Sequence, residues 1–116
     1  VIDILVPVKI TSPQNGSHGH WSTQAKDRKA QRTITRWALM PMAKPALPVV
    51  VTLTRIGVRD LDDDNLAAGF KSVRDEIAAW LGCGDGKRDP ITWHYAQTRG
   101  EPKQYAARIH IESETQ

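Results

Sequence analysis

The stretch Val49-Val50-Val51-Thr52-Leu53-Thr54-Arg55-Ile56-Gly57-Val58 runs directly into Arg59-Asp60-Leu61-Asp62-Asp63-Asp64-Asn65, and its reading decides the fold. The first half is apolar and β-branched, the composition of a well-buried strand. The second half places acids at 60, 62, 63 and 64 with no base among them. A buried strand is therefore expected to deliver a group of carboxylates at its C-terminal end.

Downstream, Leu66, Phe70, Val73, Ile77 and Trp80 recur at spacings of four and three. That is the stripe of an amphipathic helix from Asn65 to about Leu81. Asp63 or Asp64 is expected to cap it, where the helix dipole favours negative charge. Gly82 and Gly84 should stop the helix, with a polar turn from Cys83 to Pro90. Ile91, Trp93 and Tyr95 then alternate with Thr92, His94 and Ala96, and Tyr105, Ala107, Ile109 and Ile111 with Ala106, Arg108 and His110. Two strands joined through Gly100-Glu101-Pro102 follow from that period.

Upstream, Ile2, Ile4, Val6, Val8 and Ile10 alternate in the same way, and Pro7 marks an edge strand. Thr11 to His20 reads as an exposed loop, and Ser22 as the N-cap of a helix reaching about Met40, ended by Pro41, Pro45 and Pro48. The order is β-α-β-α-β-β: an α+β fold with a small mixed sheet and two helices.

A chain of 116 residues is one domain, 1–116, with one core. No apolar run approaches the roughly 20 residues of a membrane helix, and Val1 to Ile10 lacks a cationic leader, so a cytoplasmic protein is expected. Cys83 is the only cysteine, which excludes an intrachain disulfide and a cysteine-built zinc site. The formal charge of +3 is a mild bias toward polyanions, but its distribution is uneven. Lys26, Arg28, Lys29, Arg32 and Arg36 face the single acid Asp27 within the first helix. Arg28, Arg32 and Arg36 form a stripe suited to phosphates; the plain alternative is a solvated helix face.

Were the backbone still extended at the acids, Asp60, Asp62 and Asp64 would share one face and Asp63 the other. Carboxylates so gathered repel unless they share a proton or a cation. Hard oxygen donors suit Mg²⁺ or Mn²⁺, whose shell a substrate phosphate can complete. At 100° per residue Asp64, Ala68, Lys71 and Asp75 would line one side of the following helix. Lys71 there could neutralise charge on a phosphoryl group, with Asp75 holding the lysine and Asp85 as a third metal ligand. An EF-hand starting at Asp60 fails, because Asn65 and Lys71 stand where Gly and Glu are required. A solvated acidic loop with a helix cap remains the alternative. His18, His20 and Cys83 are left out of the site, and Trp80 and Trp93 are assigned to the core.

Asp62-Asp63-Asp64-Asn65-Leu66, Lys71-Ser72-Val73-Arg74-Asp75, Trp80-Leu81-Gly82, Asp85-Gly86 and the Trp93/Tyr95 strand together resemble the RusA family of phage and prophage Holliday-junction resolvases. The resemblance covers Arg59 to Arg108. It implies a homodimer that binds a four-way DNA junction and makes two symmetric cuts, with a divalent metal and an essential lysine. By position it implies Asp62, Asp64 and Asp85 as metal ligands and Lys71 as the lysine; Asp60 and Asp89 stand as alternatives for a ligand. The expected activity is Mg²⁺- or Mn²⁺-dependent, structure-specific endonuclease cleavage. The rivals are a non-catalytic DNA-binding module and a nuclease for other branched DNA.

Overall fold

The computed structural model describes residues 1–10, 21–82, 90–101 and 104–114, and the side chains of all of these but 21–24. Its elements are β1 (Ile2–Val6), α1 (Trp21–Leu39), β2 (Val49–Gly57), α2 (Asp63–Gly69), α3 (Lys71–Leu81), β3 (Ile91–Arg99) and β4 (Ala106–Ser113). The strands form one mixed sheet in the order β1-β4-β2-β3. β4 runs antiparallel to both β1 and β2, while β2 and β3 are parallel. The α+β fold and the edge position of β1 follow the sequence reading.

The central strand β2 sets the core. Val51 lies between Trp93 and Ile111, and Leu53 between Tyr95 and Ile109. Val49, Val51, Leu53, Ile109 and Ile111 are fully buried and cluster with Leu39, Leu66, Phe70, Val73 and Ile77 from the three helices. Side chains alternate across a strand, so Thr52, His94 and His110 share the opposite face. On that face Arg108 donates to Asp3 at 2.8 and 3.3 Å. That guanidinium, with His110 beside it, holds the Asp3 carboxyl below its usual pKa.

Where one helix was expected over 65–81, there are two. Phe70 takes φ −88° and ψ 0°, and its N–H donates to Ala67 O at 3.2 Å, a bond one residue short of the α-helical reach. Gly69 weakens the helix here, and the fully buried Phe70 ring locks the break against Tyr95, with ring centroids 6.0 Å apart. The apolar stripe survives because Leu66, Phe70, Val73 and Ile77 all reach the same core. Trp80 packs on that core only half-buried.

The start of α2 also differs. Its N-cap is Asp62, whose carbonyl accepts the first helical bond from Leu66 N–H at 2.8 Å and whose side chain makes no cap bond. Asp63 and Asp64 lie inside the first turn. At the far end Gly82, at φ 80°, closes α3 in the left-handed conformation that glycine accommodates most easily. α1 begins at Trp21, one residue before the expected cap. No described helix is long and apolar enough to cross a membrane.

Truncating Phe70 removes the ring that locks the α2–α3 break. Phe70→Ala is expected to cost about 3–5 kcal/mol of stability, read from the midpoint of urea unfolding at unchanged m-value.

Candidate functional site

The acidic loop leaves β2 under the control of three side chains. Arg55 is the fourth inward residue of that strand, only 5% exposed, and its guanidinium donates from Nε to Ile10 O at 2.8 Å and from Nη1 to Arg59 O. Gln97 clasps the next turn: Leu61 N–H donates to Gln97 Oε1 at 2.9 Å, and Gln97 Nε2 donates to Leu61 O at 2.7 Å. Arg99, two residues along β3, lies 3.6 Å from Asp60 Oδ1. Gln97 and Arg99 thus tie the loop to the edge strand β3.

The shape this gives differs from the extended run expected. Asp60 follows the bend at Val58–Arg59, Asp62 is the N-cap, and Asp63 and Asp64 are in the helix, so no alternating face gathers Asp60, Asp62 and Asp64. The Asp60 carboxylate is engaged by Arg99. Asp62, Asp63 and Asp64 are exposed. No hydrogen bond or ion pair among the described residues engages the Asp62, Asp63 or Asp64 side chain. Their position at the N-terminus of α2 suits negative charge. Among the described residues no three His, Cys, Asp or Glu side chains converge as a metal site. Asp85 and Asp89, the expected third ligand and its alternative, lie outside the described residues, as do Cys83, His18 and His20.

Lys71 and Asp64, expected along one side of a single helix, do not share one helix. The break at Gly69–Phe70 puts the two residues on different helices, and Lys71 Nζ pairs with Asp75 Oδ2 at 3.3 Å, the partner expected for it. Lys71 faces a groove of about 600 Å³ between α1 and α3, whose lining includes Arg28, Lys29, Arg32, Arg36, Lys71 and Asp75. Four of the five cations expected to contact DNA therefore meet Lys71 in one place. Lys26 is exposed but does not line the groove.

Glu76, 5% exposed, organises this groove from beneath. Arg36 donates to its two carboxylate oxygens at 3.3 and 3.2 Å, and Arg32 Nε stands 3.7 Å away. The arginines remain largely exposed while one end is anchored. A carboxylate buried under two guanidinium groups orients them and leaves donors for an anion outside.

Sequence reasoning passed over Gln97, Arg99, Arg55 and Glu76. Arg55 had a signal, a lone cation inside an apolar strand. Glu76 had another, an acid next to the buried Ile77 position. Gln97 and Arg99 carry no such mark, because their role depends on β3 pairing beside β2. Trp93, assigned to the core, packs against it half-buried, with the Arg74 guanidinium 4.9 Å from its ring centroid and a buried indole N–H that has no partner among the described residues.

Gln97→Leu keeps the bulk of the clasp and deletes both of its hydrogen bonds. A loss of about 1–3 kcal/mol is expected, together with faster hydrogen exchange at the Leu61 amide than at amides of α3.

No protein-family model, curated protein or solved structure matches the chain.

Proposed function

We propose that the chain is a divalent-metal-dependent endonuclease that holds branched DNA along the α1–α3 groove and cuts it at the acidic loop. The observation that carries this reading is the groove with five cations in its lining, which starts where α2 ends, while carboxylates that no described residue engages stand where α2 begins. The resemblance of Asp62–Leu66, Lys71–Asp75 and Asp85-Gly86 to RusA-type resolvases supports the same activity.

The donors suit a hard cation. Mg²⁺ or Mn²⁺ commonly binds through one or two carboxylates, with water and phosphate oxygens completing the shell. Asp62 and Asp64 would hold it, with Asp85 as the third ligand. Such an ion, when bound, activates water and stabilises charge on a phosphodiester. Arg28, Lys29, Arg32 and Arg36 neutralise phosphates of the strand and fix its direction. Lys71, held by Asp75, offsets charge on the phosphate group nearest α2. Arg55 and Gln97 act as positioning residues by holding the backbone from which Asp62 and Asp64 project, and Arg99 by holding the Asp60 carboxylate beside it. A homodimer, proposed with a four-way junction as substrate, would supply two related sites for two cuts.

A second reading, DNA binding without hydrolysis, is favoured by one observation: Asp62 at the N-cap and Asp63 and Asp64 in the first turn suit the dipole of α2 without any metal. A synthetic four-way junction separates the two. Wild type is expected to nick it only with Mg²⁺ or Mn²⁺, and Asp64→Asn to lower the rate by about a hundredfold or more while binding persists. Undiminished cleavage by Asp64→Asn removes that residue from the site. Salt-sensitive binding with no cleavage under any divalent ion establishes the second reading, and a panel of flaps, forks and single strands identifies the preferred branch.

A further inference from the structure

Trp37 is 65% exposed on α1, an uncommon setting for the largest apolar side chain. Its neighbours Ile34 and Ala38 pack on the core, so the helix itself turns position 37 outward. Thr33, one turn earlier, lines the α1–α3 groove together with Arg32 and Arg36. On a helix a residue four places on is rotated by only about 40°, so Trp37 stands at the rim of that groove next to Arg36. Arg28, Arg32 and Arg36 lead up to it in steps of about 6 Å along the helix axis.

The other described aromatic side chains are engaged. Arg74 covers Trp93 and donates to the Tyr95 hydroxyl at 3.0 Å, Lys9 lies over Tyr105, Trp80 packs half-buried on the core, and Phe70 is buried. Among the described residues no cation or aromatic contact occupies the Trp37 ring. A row of cations ending in a free indole is the arrangement that binds unpaired strands: the cations track the backbone and the ring stacks on a base. Bases inside a duplex already stack on one another, whereas a branch point or single strand offers one that does not.

We propose that Trp37 is a stacking platform for an unpaired nucleobase whose flanking phosphates lie on Arg32 and Arg36. The inference rests on the DNA-binding reading above and narrows its substrate class to DNA with unpaired bases. Glu76 contributes by anchoring both arginines, so the phosphate positions are set before the strand arrives.

The test uses the full chain with two probes, an oligothymidylate and a blunt duplex of equal length, at one fixed salt concentration. Wild type is expected to bind both, with tryptophan emission quenched by the oligothymidylate. Trp37→Ala should weaken oligothymidylate binding about tenfold with duplex binding unchanged, Trp37→Phe should retain most of it, and Arg36→Gln should weaken both probes. Circular dichroism checks that the variants are folded. If wild type binds both probes and Trp37→Ala binds them as wild type does, or weakens both equally, the stacking role is wrong and the nuclease reading stands. If Trp37→Ala instead changes the mass in solution by light scattering, the ring is a protein contact and the proposal falls. Binding of neither probe by wild type removes the DNA reading and this inference with it.

Discussion

The Arg55 guanidinium is the one charged group in the row of β2 that faces the helices, and the layout of the acidic loop and of the elements beside it depends on how it is satisfied. Burying such a cation costs several kcal/mol unless hydrogen bonds replace its water. Two backbone carbonyls do so here, Ile10 O after β1 and Arg59 O after β2. One side chain therefore joins the end of the N-terminal segment, the central strand and the turn that opens the acidic loop. Gly57 belongs to the same device: a Cβ there would stand 2.7 Å from the Arg55 guanidinium carbon. A side chain at this position would displace the guanidinium from the place where it meets Ile10 O and Arg59 O.

From that turn onward the backbone is held, while the Asp62, Asp63 and Asp64 carboxylates meet no partner among the described residues. Gln97 satisfies both polar groups of Leu61, and Arg99 engages Asp60, so these bonds lie on the β3 side of the loop. The same division appears across α1 and α3, where buried Glu76 takes one end of Arg32 and Arg36 and leaves the rest exposed. A group that must meet a ligand is best placed on rigid elements and oriented by a partner behind it. Both surfaces are built this way, one with backbone clasps and the other with a buried acid.

Much of this was legible in the sequence, and the parts that were not share a physical reason. Alternation in Ile91–Tyr95 and Tyr105–Ile111 identifies strands and faces but says nothing about neighbours, so the insertion of β4 between β1 and β2 and the parallel pairing of β3 with β2 were hidden. Gln97 was hidden with them, because its partner Leu61 lies 36 residues away. The break at Gly69–Phe70 was invisible because Leu66, Phe70, Val73 and Ile77 satisfy a continuous helix and a broken one equally. The expectation that Lys71 shares one helix side with Asp64 rests on that continuous spacing. By contrast the basic stripe of α1 needed only helical spacing, and Arg28, Arg32 and Arg36 do share one groove.

The break has an electrostatic consequence. A continuous helix would carry Lys71 on the same side as Asp64 and partly neutralise the loop; the broken one sets Lys71 among the cations of α1, and among the described residues no cation pairs with the acids at the start of α2. The two surfaces are then separated by the seven residues of α2, about 10 Å of helix. That is close to the Debye length at 0.1 M salt, so opposite fields that interfere at low ionic strength act almost independently at higher ionic strength. On the proposed reading, a polyanion drawn to the groove would meet repulsion only within the last few ångströms of the acidic loop, where a divalent cation shared by carboxylate and phosphate would remove it.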